Sequence, residues 1–328
     1  MSEICWYRYK PVDTILIRGA EEDKTSLLSI FPPPPQTIIG AIRTAYLLKK
    51  LPEEKTIKDY IDGKLDKSFY EDIGKPSENP PFEIIGPIFE KNNEIYIPVP
   101  YTWFMDNFEE EDVINIPKNK FLKGTLIDNN LPIASSALIK IWPQKAKGFV
   151  ESIGGNWIKL SDFITINNKD EIKDDIKIYK PSYFYCKEPR IGIALYDNRT
   201  VRESQLYSYA HFRLKECVSL VFGITKDISL GDKGIMKVGA EQRFGLYEKI
   251  NYEKINNIPL SSDNSSFYMS LSYIPCEENK ENLIVTDKVV YIGGWDLAKG
   301  FHKPLKAHYP PGSVFKEKVP NSIPVKIS

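Results

Sequence analysis

The pattern of apolar and polar positions predicts a β-rich chain with one well-defined helix near its start. The opening segment ICWYRYKPVDTILIRG is rich in aromatic and β-branched residues, which is typical of a strand. After the prolines at 32–35 the apolar residues change to a helical spacing. They are Ile38, Ile39, Ile42, Tyr46 and Leu47. With Thr37 as N-cap and Pro52 as the stop, we expect a helix with a buried apolar stripe and with Arg43 displaced from that stripe.

Two later segments predict strands. Residues 84–104 are typical of a hairpin that turns at Asn92 and Asn93. In LYSYAHFRL, residues 206–214, polar and apolar positions alternate, so the strand has two different faces. One carries Leu206, Ser208, Ala210, Phe212 and Leu214, and the other carries Tyr207, Tyr209, His211 and Arg213. The second face could stack on RNA bases and meet phosphates, or it could cover a helix or a protein interface.

Length and charge limit the possible functions. The chain has 328 residues, enough for about two domains of roughly 150 residues each or for a single large β-rich domain. The Asn-, Asp- and Lys-rich segment at 167–175 predicts the boundary between two domains. Lys plus Arg number 44 and Asp plus Glu number 44, so no overall basic field attracts nucleic acid. Any nucleic-acid site must therefore be local.

The distribution of arginine favours such a local site. Five arginines fall between residues 190 and 243, namely Arg190, Arg199, Arg202, Arg213 and Arg243. The planar guanidinium suits phosphate and stacking contacts better than the Lys ammonium does. The segment GIMKVGAEQRFG at 234–245 adds glycines next to Lys237 and Arg243, a pattern in which backbone amides can approach phosphates. The same glycines could simply form turns.

Residues that enzymes and metal sites need are sparse. The four cysteines lie far apart without a C-x-x-C pair, which predicts reduced thiols. The three histidines lack the neighbours of a metal centre or a catalytic triad, so we expect no metal, cofactor or catalytic residue. The start of the chain lacks a signal-peptide pattern, and no apolar run reaches the length of a membrane span. We therefore expect a cytoplasmic protein.

Four segments together resemble one known family, the third subunit of the type III-B CRISPR effector, within the RAMP (repeat-associated mysterious protein) superfamily. They are FPPPPQTIIGAIR (31–43), RIGIALYDNRTVRESQLYSYAHFRL (190–214), VGAEQR (238–243) and YIGGWDLAKGFHKPLKAHYPPGSVF (291–315). The likeness extends over nearly the whole chain. In the third segment Ala240 and Gln242 stand where relatives often have a loop richer in glycine and arginine.

The resemblance implies an α+β fold of tandem ferredoxin-like (RRM-like) modules with antiparallel sheets and β-rich insertions. It implies an N-terminal domain at 1–175 with insertions and a C-terminal domain at 176–328 with the glycine-rich loop. The implied role is non-catalytic: a subunit of the Cmr complex that holds the repeat-derived 5′ handle of the CRISPR RNA. The implied protein partners are the large polymerase/cyclase-like subunit and a neighbouring backbone RAMP subunit, with no membrane partner.

The residues and the resemblance together predict a set of RNA contacts. These are Arg43, Arg199, Arg202, Tyr207, His211, Arg213, Lys237, Gly239 and Arg243. We expect residues 291–315 to be structural or partner-facing. Two other functions stay open. Some RAMP relatives are endoribonucleases with a histidine general base, so His211 or His302 could cleave precursor RNA. A β-rich carbohydrate-active enzyme with two carboxylates would need a glycan-binding cleft and no affinity for RNA.

Overall fold

The computed structural model describes most of the chain as short helices and many strands. The described residues are 4–23, 26–76, 78–106, 111–127, 140–143, 149–169, 174–241, 243–260, 267–296 and 299–327. The helices are α1 (Pro35–Lys50), α2 (Ile57–Ile61), α3 (Lys67–Ile73), α4 (Leu160–Asn168) and α5 (Glu253–Asn256), with a 3-10 helix at Pro181–Tyr183.

The strands follow in chain order. They are β1 (Cys5–Pro11), β2 (Arg18–Asp23), β3 (Ser26–Ser29), β4 (Ile84–Lys91), β5 (Glu94–Pro98), β6 (Trp103–Asp106), β7 (Val113–Ile116), β8 (Phe121–Lys123), β9 (Thr125–Ile127), β10 (Lys140–Trp142), β11 (Val150–Ser152), β12 (Trp157–Lys159), β13 (Ile176–Tyr179), β14 (Tyr185–Leu195), β15 (Val201–Leu214), β16 (Val218–Ile224), β17 (Lys233–Lys237), β18 (Phe244–Ile250), β19 (Phe267–Ser270), β20 (Ile274–Pro275), β21 (Leu283–Val285), β22 (Val290–Asp296), β23 (Phe301–Tyr309), β24 (Val314–Phe315) and β25 (Ser322–Val325).

The chain divides into two compact units, and neither unit is a continuous segment. Unit 1 contains Met1–Pro87, Tyr185–Ile250 and Tyr291–Lys306, and unit 2 contains Ile88–Phe184, Asn251–Val290 and Ala307–Ser328. The predicted domains 1–175 and 176–328 differ from this division. The reason is that the segment at 167–175 connects α4 to β13, and both of these elements lie in unit 2. Residues 170–173 of that segment lie outside the described residues.

Unit 1 is built on an antiparallel sheet in the order β17-β18-β1-β16, followed by the first residues of β4. The register places Tyr7 of β1 opposite Phe222 of β16, and Tyr9 opposite Tyr247 of β18. These rings are buried, and the rings of Tyr7 and Phe222 stack with centroids 5.8 Å apart. Alternate residues of β17 and β18 are exposed. This end of the sheet therefore has one buried face and one exposed face.

Helix α1 confirms the helix predicted from the apolar stripe. It begins at Pro35, ahead of the predicted N-cap Thr37, because proline fits the first helical turn, where its missing N–H is not needed. Its buried residues include Ile38, Ile42, Tyr46 and Leu47, as the spacing predicts. The helix ends at Lys50, just before Pro52.

The turn predicted at Asn92 and Asn93 is confirmed and lies in unit 2. Both residues have left-handed backbone, with φ of 52° and 60°, which asparagine tolerates better than most residues. The hairpin brings Phe89 of β4 opposite Tyr96 of β5. Both rings pack on Phe184, with centroids 4.5 Å and 5.0 Å away. Unit 2 therefore has its own aromatic core.

The segment at 291–315 has an exposed part and a buried part. The side chains at 301–306 are all exposed, and Trp295 is exposed with its ring edge-on to His302 at 5.0 Å. Further along the chain, His308 and Phe315 are buried. A structural role suits the second part, and the exposure of the first part is compatible with a partner-facing role.

The α+β fold with mostly antiparallel sheets is confirmed. The pairs β1–β16, β1–β18 and β17–β18 are antiparallel, whereas β3 and β15 pair in parallel. In the ranges that the structure describes, none of the helices combines the length and the apolar composition that crossing a membrane requires.

Candidate nucleic-acid interface

Distant parts of unit 1 meet beside β15. Ile15 and Phe212 exchange two backbone hydrogen bonds of 2.8 Å, which hold the segment after β1 against β15. Val12 N donates to Phe244 O at 3.1 Å, so the start of β18 reaches the same place. Charged side chains that are far apart in sequence therefore come into contact here.

These side chains form an ion-pair cluster that we call the arginine network. Its members are Asp13, Glu188, Arg190, Arg213, Glu241 and Arg243. Asp13 accepts a hydrogen bond from Arg213 Nη2 at Oδ1 (2.8 Å) and one from Arg243 Nη1 at Oδ2 (2.9 Å). Arg213 also donates to both carboxylate oxygens of Glu188. The predicted RNA contacts Arg213 and Arg243 are therefore held by carboxylates of the same chain.

The remaining contacts make the arginine network neutral. Glu241 Oε2 accepts a hydrogen bond from Arg243 Nη2 at 3.2 Å. Arg190 Nη2 lies 3.6 Å from Glu188 Oε2 and 4.0 Å from Asp13 Oδ2. Three guanidinium groups thus face three carboxylates. An ion-pair network of this kind fixes the geometry of its members more than it attracts an external anion.

The arginines lower the pKa values of the three carboxyl groups. The hydrogen bond from Arg213 is the main cause for both Asp13 and Glu188. Burial raises the pKa of Glu241, but hydrogen bonds from Tyr209 and Arg243 outweigh it, so that this pKa is also lowered. All three carboxyl groups are therefore ionised at neutral pH.

His211 lies inside this cluster. The prediction puts His211 on an open strand face, whereas the structure buries the ring completely. A hydrogen bond of 2.8 Å joins His211 Nδ1 to Thr14 Oγ1, and His211 Nε2 lies 3.6 Å from Glu241 Oε2. Burial, followed by the charge of Arg190, lowers the pKa of His211. A neutral, buried ring offers no surface for stacking on RNA.

An open pocket of about 250 Å³ lies next to the arginine network. Its charged lining residues are Lys10, Asp13, Arg213 and Lys215, and Val12, Leu214 and Val218 are among its apolar ones. Arg213 and Asp13 are already paired within the neutral arginine network, so the net formal charge of the pocket comes from Lys10 and Lys215. Because the pocket is concave and has a net positive charge, it suits a phosphate group better than the neutral network does. We call it the basic pocket.

The predicted glycine-rich loop is shorter than the sequence suggests. Gly234 lies in β17 and Gly245 in β18, so only the residues between Lys237 and Phe244 connect these strands, and Gln242 among them lies outside the described residues. Gly239 has a φ of 84°, and a Cβ there would be 2.3 Å from Leu16 O. Ala240 N donates to the same oxygen at 2.7 Å. Gly239 is therefore required by a close backbone approach, and the neighbouring amide is used within the chain.

Other predicted contacts lie elsewhere in unit 1. Arg43 is half-buried and donates to Ile73 O (2.8 Å) and Glu78 O (2.7 Å), so it ties α1 to the segment after α3. Arg199 is exposed in the turn between β14 and β15, and Lys237 is exposed at the end of β17. The side chains of Arg202 and Tyr207 lie outside the described residues. RNA contact stays a prediction for all nine residues.

The lysines of the basic pocket are not among the predicted RNA contacts. Lys10 is the last residue before Pro11, which ends β1, and Lys215 lies in the Lys-Glu turn after LYSYAHFRL. Both are charged residues at or near the end of a strand, which is a signal that could have found them. The prediction favoured arginine over lysine as the residue that contacts phosphate, and the two lysines were therefore not selected. Asp13 and Glu188 were missed because nothing local indicates a carboxylate that pairs with a distant arginine.

Comparison with known proteins identifies the family and the fold. Residues 7–266 match the family described as CRISPR-associated protein (Cas_Cmr3). No curated protein matches the chain. The fold is similar to that of a chain in the cryo-EM structure of the type III-B Cmr-beta bound to cognate target RNA and AMPPnP, state 1. The TM-score is 0.55 at 19% identity, with 95% of this chain and 86% of that chain covered.

A second cryo-EM structure, the type III-B Cmr-beta bound to cognate target RNA, contains a chain similar to this one with a TM-score of 0.53 at 18% identity. The alignment covers 96% of this chain and 86% of that chain. At such identities the likeness shows the fold alone. The family match covers well over half of the sequence, and the protein therefore belongs to the CRISPR-associated Cmr3 family and is a component of a type III CRISPR effector.

Proposed function

We propose that this chain is a non-catalytic subunit of a type III-B effector that holds the 5′ handle of the CRISPR RNA by its phosphates. The observation that carries the proposal is the basic pocket, in which Lys10, Arg213 and Lys215 surround the single carboxylate of Asp13. Phosphate contacts supply most of the sequence-independent affinity of a protein for nucleic acid. The similar Cmr-beta chains come from complexes bound to cognate target RNA, which supports RNA as a partner.

The arginine network contributes to this function by holding Arg213 in place. Asp13 and Glu188 both accept hydrogen bonds from its guanidinium, so the side chain has little rotamer freedom left to lose on binding. Lys10 and Lys215 are exposed and supply further positive charge. A single RNA strand can then be held by its backbone while the guide bases pair with the target.

The proposed protein partners are the large polymerase/cyclase-like subunit and the neighbouring backbone RAMP subunit. Cleavage of RNA by a histidine general base would need an accessible ring near the scissile phosphate. His211 is fully buried beside Thr14, and His302, which is exposed on β23 next to Trp295, is not among the residues that line the basic pocket. The arrangement favours binding over cleavage.

The test is the double variant Lys10→Glu/Lys215→Glu in the assembled effector. Two lost charge-assisted contacts should weaken retention of guide RNA roughly ten- to a hundredfold. The dependence of log affinity on log salt should become shallower by about 0.7 for each phosphate contact removed. Retention is measured as guide RNA that copurifies with the complex over a salt series.

The matched control is Lys50→Glu/Lys58→Glu, which reverses two exposed charges elsewhere in unit 1. It changes net charge by the same amount and should leave retention within about twofold of wild type, as expected for long-range screening alone. Equal loss in both double variants would mean that the pocket has no specific role. Unchanged retention in the pocket variant would contradict the proposed function.

A further inference from the structure

The sheet of unit 1 has an exposed face next to the site described above. Directly opposite residues of paired strands share a face, and Ile235 of β17 lies opposite Leu246 of β18. β1 continues this face, because its Lys10 lies opposite Leu246 as well. We call it the outer face. Its residues are Arg8, Lys10, Val12, Lys233, Ile235, Lys237, Phe244, Leu246 and Glu248.

The centre of the outer face is apolar. Val12, Ile235, Leu246 and Phe244 are exposed by 63%, 60%, 57% and 46%. The solvated face of an antiparallel sheet normally carries polar residues, and the other face of these strands already buries Met236 and Tyr247. Neighbouring apolar side chains of this size on a polar-rimmed surface are typical of an interaction site.

The border of the outer face is positively charged. Lys10, Lys233 and Lys237 are exposed there. Glu248 is the single carboxylate of the face, and Arg8 Nη1 donates to it at 2.6 Å. The residues of the outer face thus include four cations and one carboxylate, so the formal charge of this set is positive.

We infer that the outer face docks a neighbouring protein subunit of the effector, one whose surface has an apolar centre bordered by carboxylates. The inference rests on the proposed function only in placing this chain within an effector. The side chains of Val12, Ile235 and Leu246 have no π-face, so three of the four apolar residues cannot stack on bases, which disfavours RNA. If two copies of this chain met through their outer faces, the lysines of one copy would lie near those of the other. Repulsion between these like charges disfavours self-association.

The test is Leu246→Glu, with Leu48→Glu as the matched control. Leu48 is exposed by 62% on α1, so the chemical change is the same and neither position belongs to the core. The probe is the effector assembled without this chain and immobilised, and docking of the purified chain is measured. Leu246→Glu should weaken docking at least tenfold, and Leu48→Glu should remain within twofold of wild type.

A second variant, Lys233→Glu/Lys237→Glu, tests the charge of the border. It should slow association and reduce its dependence on salt, with a smaller effect on dissociation. Docking of Leu246→Glu with wild-type affinity would overturn the inference. Loss of guide RNA with all protein subunits retained would assign the face to RNA, and loss of a dimer of this chain would assign it to self-association.

These results are separable from a failure of the proposed function. Lys10 belongs to both regions, so the single variants Lys215→Glu and Leu246→Glu are compared: Lys215 lines the basic pocket and is not part of the outer face, and Leu246 is part of the outer face and does not line the pocket. If Lys215→Glu retains RNA and Leu246→Glu loses a protein subunit, the proposed RNA role fails and the docking inference stands. The reverse pattern would keep the RNA role and remove the docking surface.

Discussion

The arginine network and the outer face lie close together in unit 1 and use their positive charges differently. In the network, Asp13 bridges Arg213 and Arg243, and each guanidinium has a carboxylate within hydrogen-bond or ion-pair distance. On the outer face, Lys233 and Lys237 border apolar side chains, and the one carboxylate is paired with an arginine of the same face. The formal charges of the network balance, whereas those of the outer face add up to a net positive charge.

A cluster of basic residues in a sequence therefore does not measure the positive charge available for binding. Arg213 and Arg243 stand out in the sequence because arginine is rare in this chain. Their carboxylate partners come from strands and turns that are up to 230 residues away. Whether an arginine can bind an external anion therefore depends on whether a carboxylate distant in sequence is already paired with it.

The largest effect is expected for Gly239→Ala, which disturbs the arginine network without changing a charge. The new Cβ would meet Leu16 O at 2.3 Å, and the backbone there has a φ of 84°. Left-handed strain together with a backbone clash should lower the free energy of unfolding by about 2–4 kcal/mol. Chemical denaturation of the isolated chain measures it.

The control is Gly40→Ala, at a glycine of the segment 31–43. Gly40 lies within α1, and a Cβ there would meet nothing within 4 Å. Alanine should raise the free energy of unfolding by roughly 0.5–1 kcal/mol, because it is the better helix former. If Gly239→Ala were as well tolerated as Gly40→Ala, the connection between Lys237 and Phe244 would not hold the network in the geometry described.

A smaller effect is expected for Arg43→Ala. This variant tests whether Arg43, which lies outside the network, stabilises the fold through hydrogen bonds within the chain. Removing its side chain leaves the carbonyls of Ile73 and Glu78 without this donor. The free energy of unfolding should fall by about 1–3 kcal/mol. Lys50→Ala, an exposed cation at the end of the same helix, should stay within about 0.5 kcal/mol of wild type.

Retention of guide RNA distinguishes a structural role of Arg43 from a role in contacting phosphate. If its role is structural, Arg43→Ala leaves the salt dependence of guide RNA retention unchanged in complexes that assemble. If Arg43 contacts phosphate, the salt dependence becomes shallower while the unfolding free energy stays near that of wild type. The second pattern would restore Arg43 as an RNA contact.

Local features of the fold could be predicted from sequence, and long-range ones could not. The apolar stripe from Ile38 to Leu47 and the turn at Asn92 and Asn93 depend on neighbouring residues, and the structure agrees with both. The predicted boundary near residue 175 failed to match the compact units because the strands of each unit come from three separate segments.

The candidate site shows the same limit. Alternation correctly separates Phe212 from His211 on β15, yet both side chains are buried, because the segment after β1 covers the second face through Thr14. Arginine content predicts Arg213 and Arg243 as members of a charged site. It does not predict Asp13, whose role depends on the pairing of Ile15 with β15.

The smallest effect is expected for Asp13→Asn, and it depends on pH. Because the hydrogen bond from Arg213 lowers the pKa of Asp13, its carboxylate stabilises the folded chain above the ordinary Asp pKa of about 3.9, and this contribution is lost as the pH falls through the lowered value. Asp13 is partly exposed, so solvent screening limits the cost at neutral pH to about 1 kcal/mol. The difference in unfolding free energy between wild type and Asp13→Asn should therefore be present at pH 7 and shrink below about pH 4. Glu71→Gln, which removes an exposed pair with Lys67, serves as the control and should differ from wild type by less than about 0.5 kcal/mol at either pH. A difference for Asp13→Asn that persists undiminished in acid would mean that shape, and not charge, is what Asp13 contributes between Arg213 and Arg243.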